Sequence, residues 1–386
     1  MRRSRLIASH TLSALVVAGT AAISTITTAA APAANAQTLI ETCGQEVGGD
    51  ARLEADLDCT AAADPVIHFV RSGTLRLNGH TLSATVAGDV RRIDIIGPGT
   101  ITGPGDGVVV NGYEVHGGQT SIIDATIDGN AGTGVIARGL GHRAHIRIRN
   151  SSITGNLGAA AAVITTPTCP LPRCATQEKL TIENSLISGN GGGVVGSSIK
   201  ISDSSFTANS GDGVTVGVND GNRKLRIRDS FIDGNGGAGV MLDGSSNLNA
   251  AISDSSISGN AFGLDTRNDA PTKIKLKRCA IDDNDVGVIG SAKTGTGGIT
   301  RVTVLDTTVL GSARSGIRTP DEREQVTLRR SVVTGSASAS ACSVSEACAD
   351  IETAAPPRID ATSSCGLSHV FGSGIAGQSW SVCSGD

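Results

Sequence analysis

An all-β solenoid of stacked parallel coils follows from three features of this sequence. A phrase of the form I-x-(D/N)-S-x-I-x-G-N-x-G-x-G-V recurs about every 25 residues. Apolar and polar residues alternate within each copy, as in Leu225-Arg226-Ile227-Arg228. Glycine-rich breaks close each copy. Self-similarity at a fixed period marks a chain in which each repeat buries its apolar face only against its neighbours. Period-two alternation with β-branched apolar residues specifies strands rather than helices. A leucine-rich repeat would need a helical or leucine-spaced half-repeat, and there is none. The fold class is a single-stranded parallel β-helix.

The Gly-Asn pair sets the register. Its second residue falls at Asn130, Asn156, Asn190, Asn209, Asn235, Asn260 and Asn284, with Ser312 and Ser336 as weaker copies. Eight residues earlier stands an aliphatic side chain, running from Ile122 and Ile148 to Leu328. Five earlier stands a small one, including Ser151, Ser185, Ser204, Ser230, Ser255, Cys279 and Ser331. Three earlier come Ile127 through Val333. Coils stack about 4.8 Å apart, so these rows become ladders inside the solenoid. The Gly-Asn and Gly-x-Gly steps are read as corners, where glycine reaches positive φ without steric cost. A further row, from Asp124 and Asn150 to Asp306, stacks at a corner, where short polar side chains bond the local backbone and neighbouring coils.

Residues 1–36 read as a signal peptide. Arg2, Arg3 and Arg5 form its basic start, Leu12 to Ile26 its apolar stretch, and Ala34-Asn35-Ala36 its cleavage site. No later run approaches about 18 apolar residues, so no membrane span is expected. The remainder divides into an N-terminal cap (37–75), the β-helix body (76–340) and a C-terminal cap and tail (341–386). The mature chain is expected to be secreted and monomeric. Nine cysteines in an exported chain imply disulfides. Spacing suggests Cys43–Cys59, Cys169–Cys174, Cys342–Cys348 and Cys365–Cys383, stapling the ends where an open β-helix exposes core and strand edge. Cys279 is left over in the inward row, as a buried and inert thiol. Cys169 and Cys174 lie in an insertion, Thr166–Thr176, that lengthens one coil to 34 residues.

Thr42-Cys43-Gly44, Leu57-Asp58-Cys59 and Leu75-Arg76-Leu77-Asn78-Gly79-His80-Thr81-Leu82 resemble the opening of bacterial right-handed parallel β-helix repeat proteins of the pectate-lyase-like superfamily. Ile96-Gly97-Pro98-Gly99-Thr100-Ile101 is similar to their next coil, and the resemblance covers roughly residues 40 to 340. It implies a right-handed coil. It does not fix an activity, because lyases, hydrolases, epimerases and adhesins share the architecture.

Charge patterning gives the first functional candidate. Seven, nine and eleven residues before each anchor, the side chains should point outward. Those positions hold Arg147, Arg149, Lys179, Lys200, Lys224, Arg226, Arg228, Lys273, Lys275, Lys277, Arg301 and Arg329, with His145 and a single acid, Glu183. Yet the net charge is −4, and −7 once the three leader arginines are removed. A column of like charges repels itself. One reading is a docking surface for an anionic polysaccharide or cell-envelope polymer; the other is a solvated strand face whose lysines and arginines block aggregation. Nucleic acid is not expected, because the face carries no stacking aromatics. Trp380 and Tyr113 are the only Trp and Tyr, which argues against a stacking platform for neutral glycans.

The alternative class is a polysaccharide lyase or glycoside hydrolase acting on a uronate-containing polymer. Arg318-Thr319-Pro320-Asp321-Glu322-Arg323 is similar to the arginine motif of pectate lyases. That resemblance implies Arg318 as the base and Arg323 as the group holding the substrate acid, with calcium on the substrate carboxylate. The family's calcium-ligand and Asp-His motifs are missing, and no other cofactor is implied. Tyr113, His116 and His142, with His145, lie in connections of adjacent coils and could supply a base and an acid. Asp282-Asp283-Asn284-Asp285 offers carboxylates for inverting hydrolysis or for calcium, or a solvated turn.

Overall fold

The computed structural model describes residues 37–112, 117–140, 143–166, 177–217, 223–244, 246–268, 270–290, 300–319, 324–336, 350–354, 357–366 and 368–370. The proposed leader, the Cys169–Cys174 and Cys342–Cys348 pairs, and Cys383 lie outside the described residues, as do Tyr113, His116, His142 and Arg323. The described chain forms 41 short strands and no helix. They assemble into three parallel sheets of 14, 13 and 14 strands, and each coil contributes one strand to each sheet in turn. Sheet 1 holds Arg223–Arg228, Leu248–Ser253 and Thr272–Lys277; sheet 2 holds three-residue strands such as Phe231–Asp233; sheet 3 holds strands such as Ala238–Gly244. Parallel pairing already begins with Thr38–Leu39 on Ala51–Arg52.

Repeat spacing translates directly into register. Ile227 lies beside Ile201 on one side and Ile252 on the other, and Ile232 beside Phe206 and Ile257. Every member of the row from Ile122 to Leu328 is no more than 1 % exposed, and the row from Ile127 to Val333 is wholly buried. Burying each such side chain contributes about 1.5–3 kcal/mol, so the stacked aliphatic rows dominate stability. The serine row is also inward. The main-chain N–H of Ser151, Ser185, Ser204 and Ser230 each donates to the hydroxyl of the next coil's serine at 3.2 Å. Cys279 continues this row as a buried free thiol, and burial pushes its pKa up.

The Gly-Asn steps are corners as expected, with φ of 62–66° at Gly129, Gly155, Gly189, Gly234 and Gly259. The asparagine after each glycine turns its side chain inward, an orientation the sequence reading did not assign. Asn130, Asn156, Asn190, Asn209, Asn235, Asn260 and Asn284 are at most 3 % exposed. Each of the first six donates its amide to the next one's side-chain oxygen at 2.7–3.1 Å. Those oxygens also accept the preceding asparagine's main-chain N–H. The turn that ends sheet 2 cannot pair its own amides within a strand, and the asparagine column supplies the missing partners inside the core.

The Asp/Asn row does occupy the corner between sheets 1 and 2. Asp124, Asn150, Asn184, Asp203, Asp229, Asp254 and Asp306 all have φ between 49° and 54°, the left-handed region that Asn and Asp tolerate best. Arg278 and Arg330 take the same conformation and pair instead with the coil before, on Asp254 and Asp306. Connections from sheet 3 to sheet 1 absorb the differences in repeat length. One is the single residue Ser197 between Gly192–Gly196 and Ser198–Ser202, and another carries the insertion after Ala159–Thr166. Cys43–Cys59 forms the N-terminal disulfide. Cys365 is also disulfide-bonded.

Candidate ligand-docking face

The outward side of sheet 1 collects the charged columns. Strand pairing places them in three files. The first runs His145, Lys179, Ser198, Lys224, Asn249, Lys273, Arg301. The second runs Arg147, Thr181, Lys200, Arg226, Ala251, Lys275, Thr303, and the third Arg149, Glu183, Ser202, Arg228, Ser253, Lys277, Leu305, Arg329. Alternation along each strand explains the arrangement: Arg223–Arg228 and Thr272–Lys277 bury every second residue and turn the cations between them outward, with Lys277 half-buried. The columns are not unbroken stacks of charge. Among the described pairings of this sheet, Arg52 on Arg76, Lys200 on Arg226 and Lys273 on Arg301 are the direct Lys/Arg neighbours. Elsewhere a small or neutral residue intervenes, which relieves the repulsion a continuous ladder would carry.

The face divides into two parts. At the first, Arg147, Arg149 and Lys200 converge on Glu183 at 3.2, 3.5 and 3.3 Å. The Arg147 guanidinium leads in holding Glu183 below the usual carboxylate range. At the second, Lys224, Arg226, Lys273, Lys275 and Lys277 have no carboxylate within 4 Å among the described residues. Arg228 is partly engaged, 3.3 Å from Asp229 and 3.9 Å from Asp203. Arg301 likewise has no carboxylate within 4 Å among the described residues and donates to the Gln325 side-chain oxygen at 3.3 Å. Free cation density is therefore centred on the strands Arg223–Arg228 and Thr272–Lys277.

Between those strands the face is hollow. A concavity of about 410 Å³ runs from Lys224 and Arg226 over Asn249 and Ala251 to Lys273 and Lys275, and on to Arg301 and Thr303 of the next strand. The hollow exists because Leu248–Ser253 presents Asn249, Ala251 and Ser253 where its neighbours present long cations. The start of its bank is held by Arg223. This arginine points inward, is 1 % exposed, and donates to the carbonyls of Gly217, Asp243 and Ser246. Sequence reading gave Arg223 no role; the signal was its place at an inward position of the alternation.

The other candidates among the described residues do not gather at this face. Arg318 lies on sheet 3, in Ser315–Thr319, and its guanidinium meets the buried carboxylate of Glu352 at 3.3 Å. The next described strand, Gln325–Arg329, belongs to sheet 1. Asp282 shares an outward row of sheet 2 with Asp233 through Ser258, and burial pushes its pKa up. Asn284 belongs to the interior asparagine column, and Asp285 is taken by Arg314. These residues therefore aim in different directions. Among the described residues, no group of three His, Cys, Asp or Glu is arranged to hold a metal ion.

Comparison with known proteins places the architecture. The sequence matches the family described as right handed beta helix region over residues 106–249 and 216–353, more than half of the chain. The chain belongs to that family. This right-handed β-helix protein also aligns with a solved polygalacturonase from Erwinia carotovora ssp. carotovora, at 10 % identity, 87 % coverage of this chain, 98 % of that one and a TM-score of 0.30. No curated protein matches it. No helix among the described residues is long and apolar enough to cross a membrane.

His145 gives the β-helix a pH-sensitive point on this face. Burial first, then the charges of Lys179, Arg147 and Arg92, hold its pKa below the ordinary value. The unfolded chain therefore binds the proton more readily, and stability is lost as pH falls through about 6.5, the unfolded value. The variant His145→Gln should flatten the thermal midpoint between about pH 7 and pH 5. An unchanged slope in that interval would show that His145 is not the group responsible.

Proposed function

We propose that this protein is an exported binding module whose sheet 1 docks an anionic polysaccharide. The observation carrying this reading is the set of exposed cations Lys224, Arg226, Lys273 and Lys275, with half-buried Lys277 beside them, none within 4 Å of a carboxylate among the described residues, on a chain of net charge −4. Leaving like charges clustered without carboxylate partners is unfavourable for the fold alone. A polyanion removes that repulsion when it binds and releases its own counterions, which makes the association salt-dependent. The mainly exposed, strand-mounted side chains present charge without a proton-transfer pair, which favours binding over catalysis. The disulfide Cys43–Cys59 and the N-terminal basic-apolar stretch support export.

The test is retention on heparin–agarose and on immobilised polygalacturonate. Wild-type protein should elute at raised salt, and Arg226→Ser, Arg228→Ser, Lys275→Ser and Lys277→Ser combined should elute in the flow-through. Equal retention of the two proteins removes the docking reading. A parallel incubation with polygalacturonate, alginate and hyaluronan in calcium, followed at 235 nm and by reducing ends, should give no products. Turnover there would replace binding with catalysis.

A further inference from the structure

A second groove lies on another side of the coil, at the corner between sheets 1 and 2. It holds about 640 Å³ and runs along five coils, from Asp124 and Thr126 to Asp229 and Phe231. Local backbone explains it. In each coil the corner residue turns out, the next turns in, and the one after turns out again, as in Asp203, Ser204 and Ser205. A trough therefore opens over the inward residue. No lysine or arginine lines it. Beyond Phe231 the corner carries arginines, with Arg278 laid on Asp254 and Arg330 on Asp306. We infer that this trough is a separate binding site, for one chain of a neutral, unbranched polysaccharide lying along the coil axis. The site is independent of docking on sheet 1.

Width argues against a protein partner. Two outward residues per coil border the trough, and five coils about 4.8 Å apart span about 19 Å. That is a footprint for one extended chain, far below the roughly 800 Å² per partner of a stable protein interface. Charge excludes a polyanion, because Asp124, Asp203 and Asp229 stand exposed along one wall. These carboxylates are also partly engaged, so they do not demand a polycation. Asp124 accepts the Asn150 amide at 3.0 Å, and Arg228 reaches Asp203 and Asp229 at 3.9 and 3.3 Å. What remains along this wall is a row of hydrogen-bonding oxygens. Asn150 in turn accepts from Asn184 at 2.9 Å, which fixes both side chains.

The opposite wall supplies hydroxyls and apolar surface. The Thr126, Ser152 and Ser205 hydroxyls have no hydrogen-bond partner among the described residues. The next file out pairs with itself, Thr154 on Asp128, Thr207 on Ser188 and Ser258 on Asp233. Phe231 is 63 % exposed and Leu186 41 %, in one file on either side of the short Ser205. They stand two rungs apart, about 9.6 Å. An aromatic and an aliphatic side chain raised beside amides and hydroxyls suit the apolar face and polar rim of a sugar ring. Few Trp and Tyr predict no such surface; Phe231 and Leu186 supply one.

The experiment measures binding to the intact protein by calorimetry. Probes are size-graded neutral oligosaccharides of glucose, mannose, xylose and N-acetylglucosamine, with oligogalacturonates and oligolysine for comparison. One neutral series should bind, with affinity that rises with length, levels once about 19 Å is filled, and does not change with added salt. Phe231→Ala should weaken it on the order of tenfold, and Leu186→Ala by a smaller factor. Leu157→Ala removes a 75 % exposed side chain outside the trough and should leave the affinity as it was. All three positions are exposed, so the variants stay folded, and each should keep the heparin retention of the wild type. Equal affinities for Phe231→Ala and wild type, or no binding of any neutral series, would overturn the site while leaving docking on sheet 1 untouched. Oligolysine binding that salt abolishes, with the neutral sugars silent, would overturn it in favour of a basic peptide. Neutral sugars bound by a wild-type protein that ignores heparin would support this site and remove the docking reading alone.

Discussion

Asn235→Leu is expected to produce one of the largest losses of stability in this molecule, about 4 kcal/mol, although leucine is apolar and shares asparagine's branched heavy-atom skeleton. Asn235 is 2 % exposed and its side chain serves two coils. Its oxygen accepts from the Asn209 main-chain N–H at 3.2 Å and the Asn209 amide at 2.8 Å. Its amide donates to the Phe206 carbonyl at 3.2 Å and to Asn260 at 2.9 Å. Leucine leaves the Asn209 N–H and the Phe206 carbonyl buried without those partners, and each orphaned group costs about 1–3 kcal/mol. There is also little room to adjust. A methyl group at Gly213 would already lie 3.0 Å from the Asn235 amide nitrogen and 3.0 Å from Ile232. In a solenoid each coil contacts only its neighbours, so a fault here weakens cohesion between the two halves. Denaturant unfolding should show a lowered midpoint, with protection lost first around residues 204–240 in hydrogen exchange. Asn235→Asp at neutral pH should be comparably damaging, since a carboxylate cannot donate. A midpoint within about 1 kcal/mol of wild type for Asn235→Leu would mean that the column is decorative.

The same column shows where the sequence was readable and where it was not. Strand alternation has a period of two, so the inward Ile227 and Ile252 and the outward Arg226 and Lys275 could be assigned from spacing alone. The fold followed from that assignment. Asn235 could not be placed the same way, because a residue after glycine at a strand end belongs to a turn by local propensity, and the tertiary stacking that turns it inward is invisible within one repeat. Its signal was vertical: asparagine recurs at seven anchors, where a solvated turn would accept Asp, Ser or Gly equally. The candidate face was half legible. Placement of its cations came from the alternation, but the capture of Arg147, Arg149 and Lys200 by Glu183 depends on side-chain reach across rungs. The hollow over Ala251 likewise appears only when the three strands are set side by side. Arg318 meets Glu352 through a coil whose length the repeat does not specify.

Gly244→Ala is expected to cost about 2–4 kcal/mol and to weaken polyanion retention as well, although Gly244 faces no ligand. Gly244 ends the strand Ala238–Gly244 with φ of 134°, a conformation that side chains other than glycine's rarely adopt. An added methyl would lie 2.0 Å from an Arg223 nitrogen and 2.7 Å from the guanidinium carbon. Backbone strain alone would damage only the turn. The clash extends the damage, because Arg223 ties the carbonyls of Asp243, Ser246 and Gly217 to the start of Arg223–Arg228. Pushing its guanidinium out strands a buried charge or frees those carbonyls, and Lys224 is the adjacent residue. Combining Gly244→Ala with Arg223→Leu separates the two effects. If the clash dominates, the double variant should lose less than the sum of the single losses, since leucine no longer carries the group that collides. If φ strain dominates, the losses should add. Additive losses with unchanged heparin retention would detach Arg223 from the docking face and leave it as a corner brace alone.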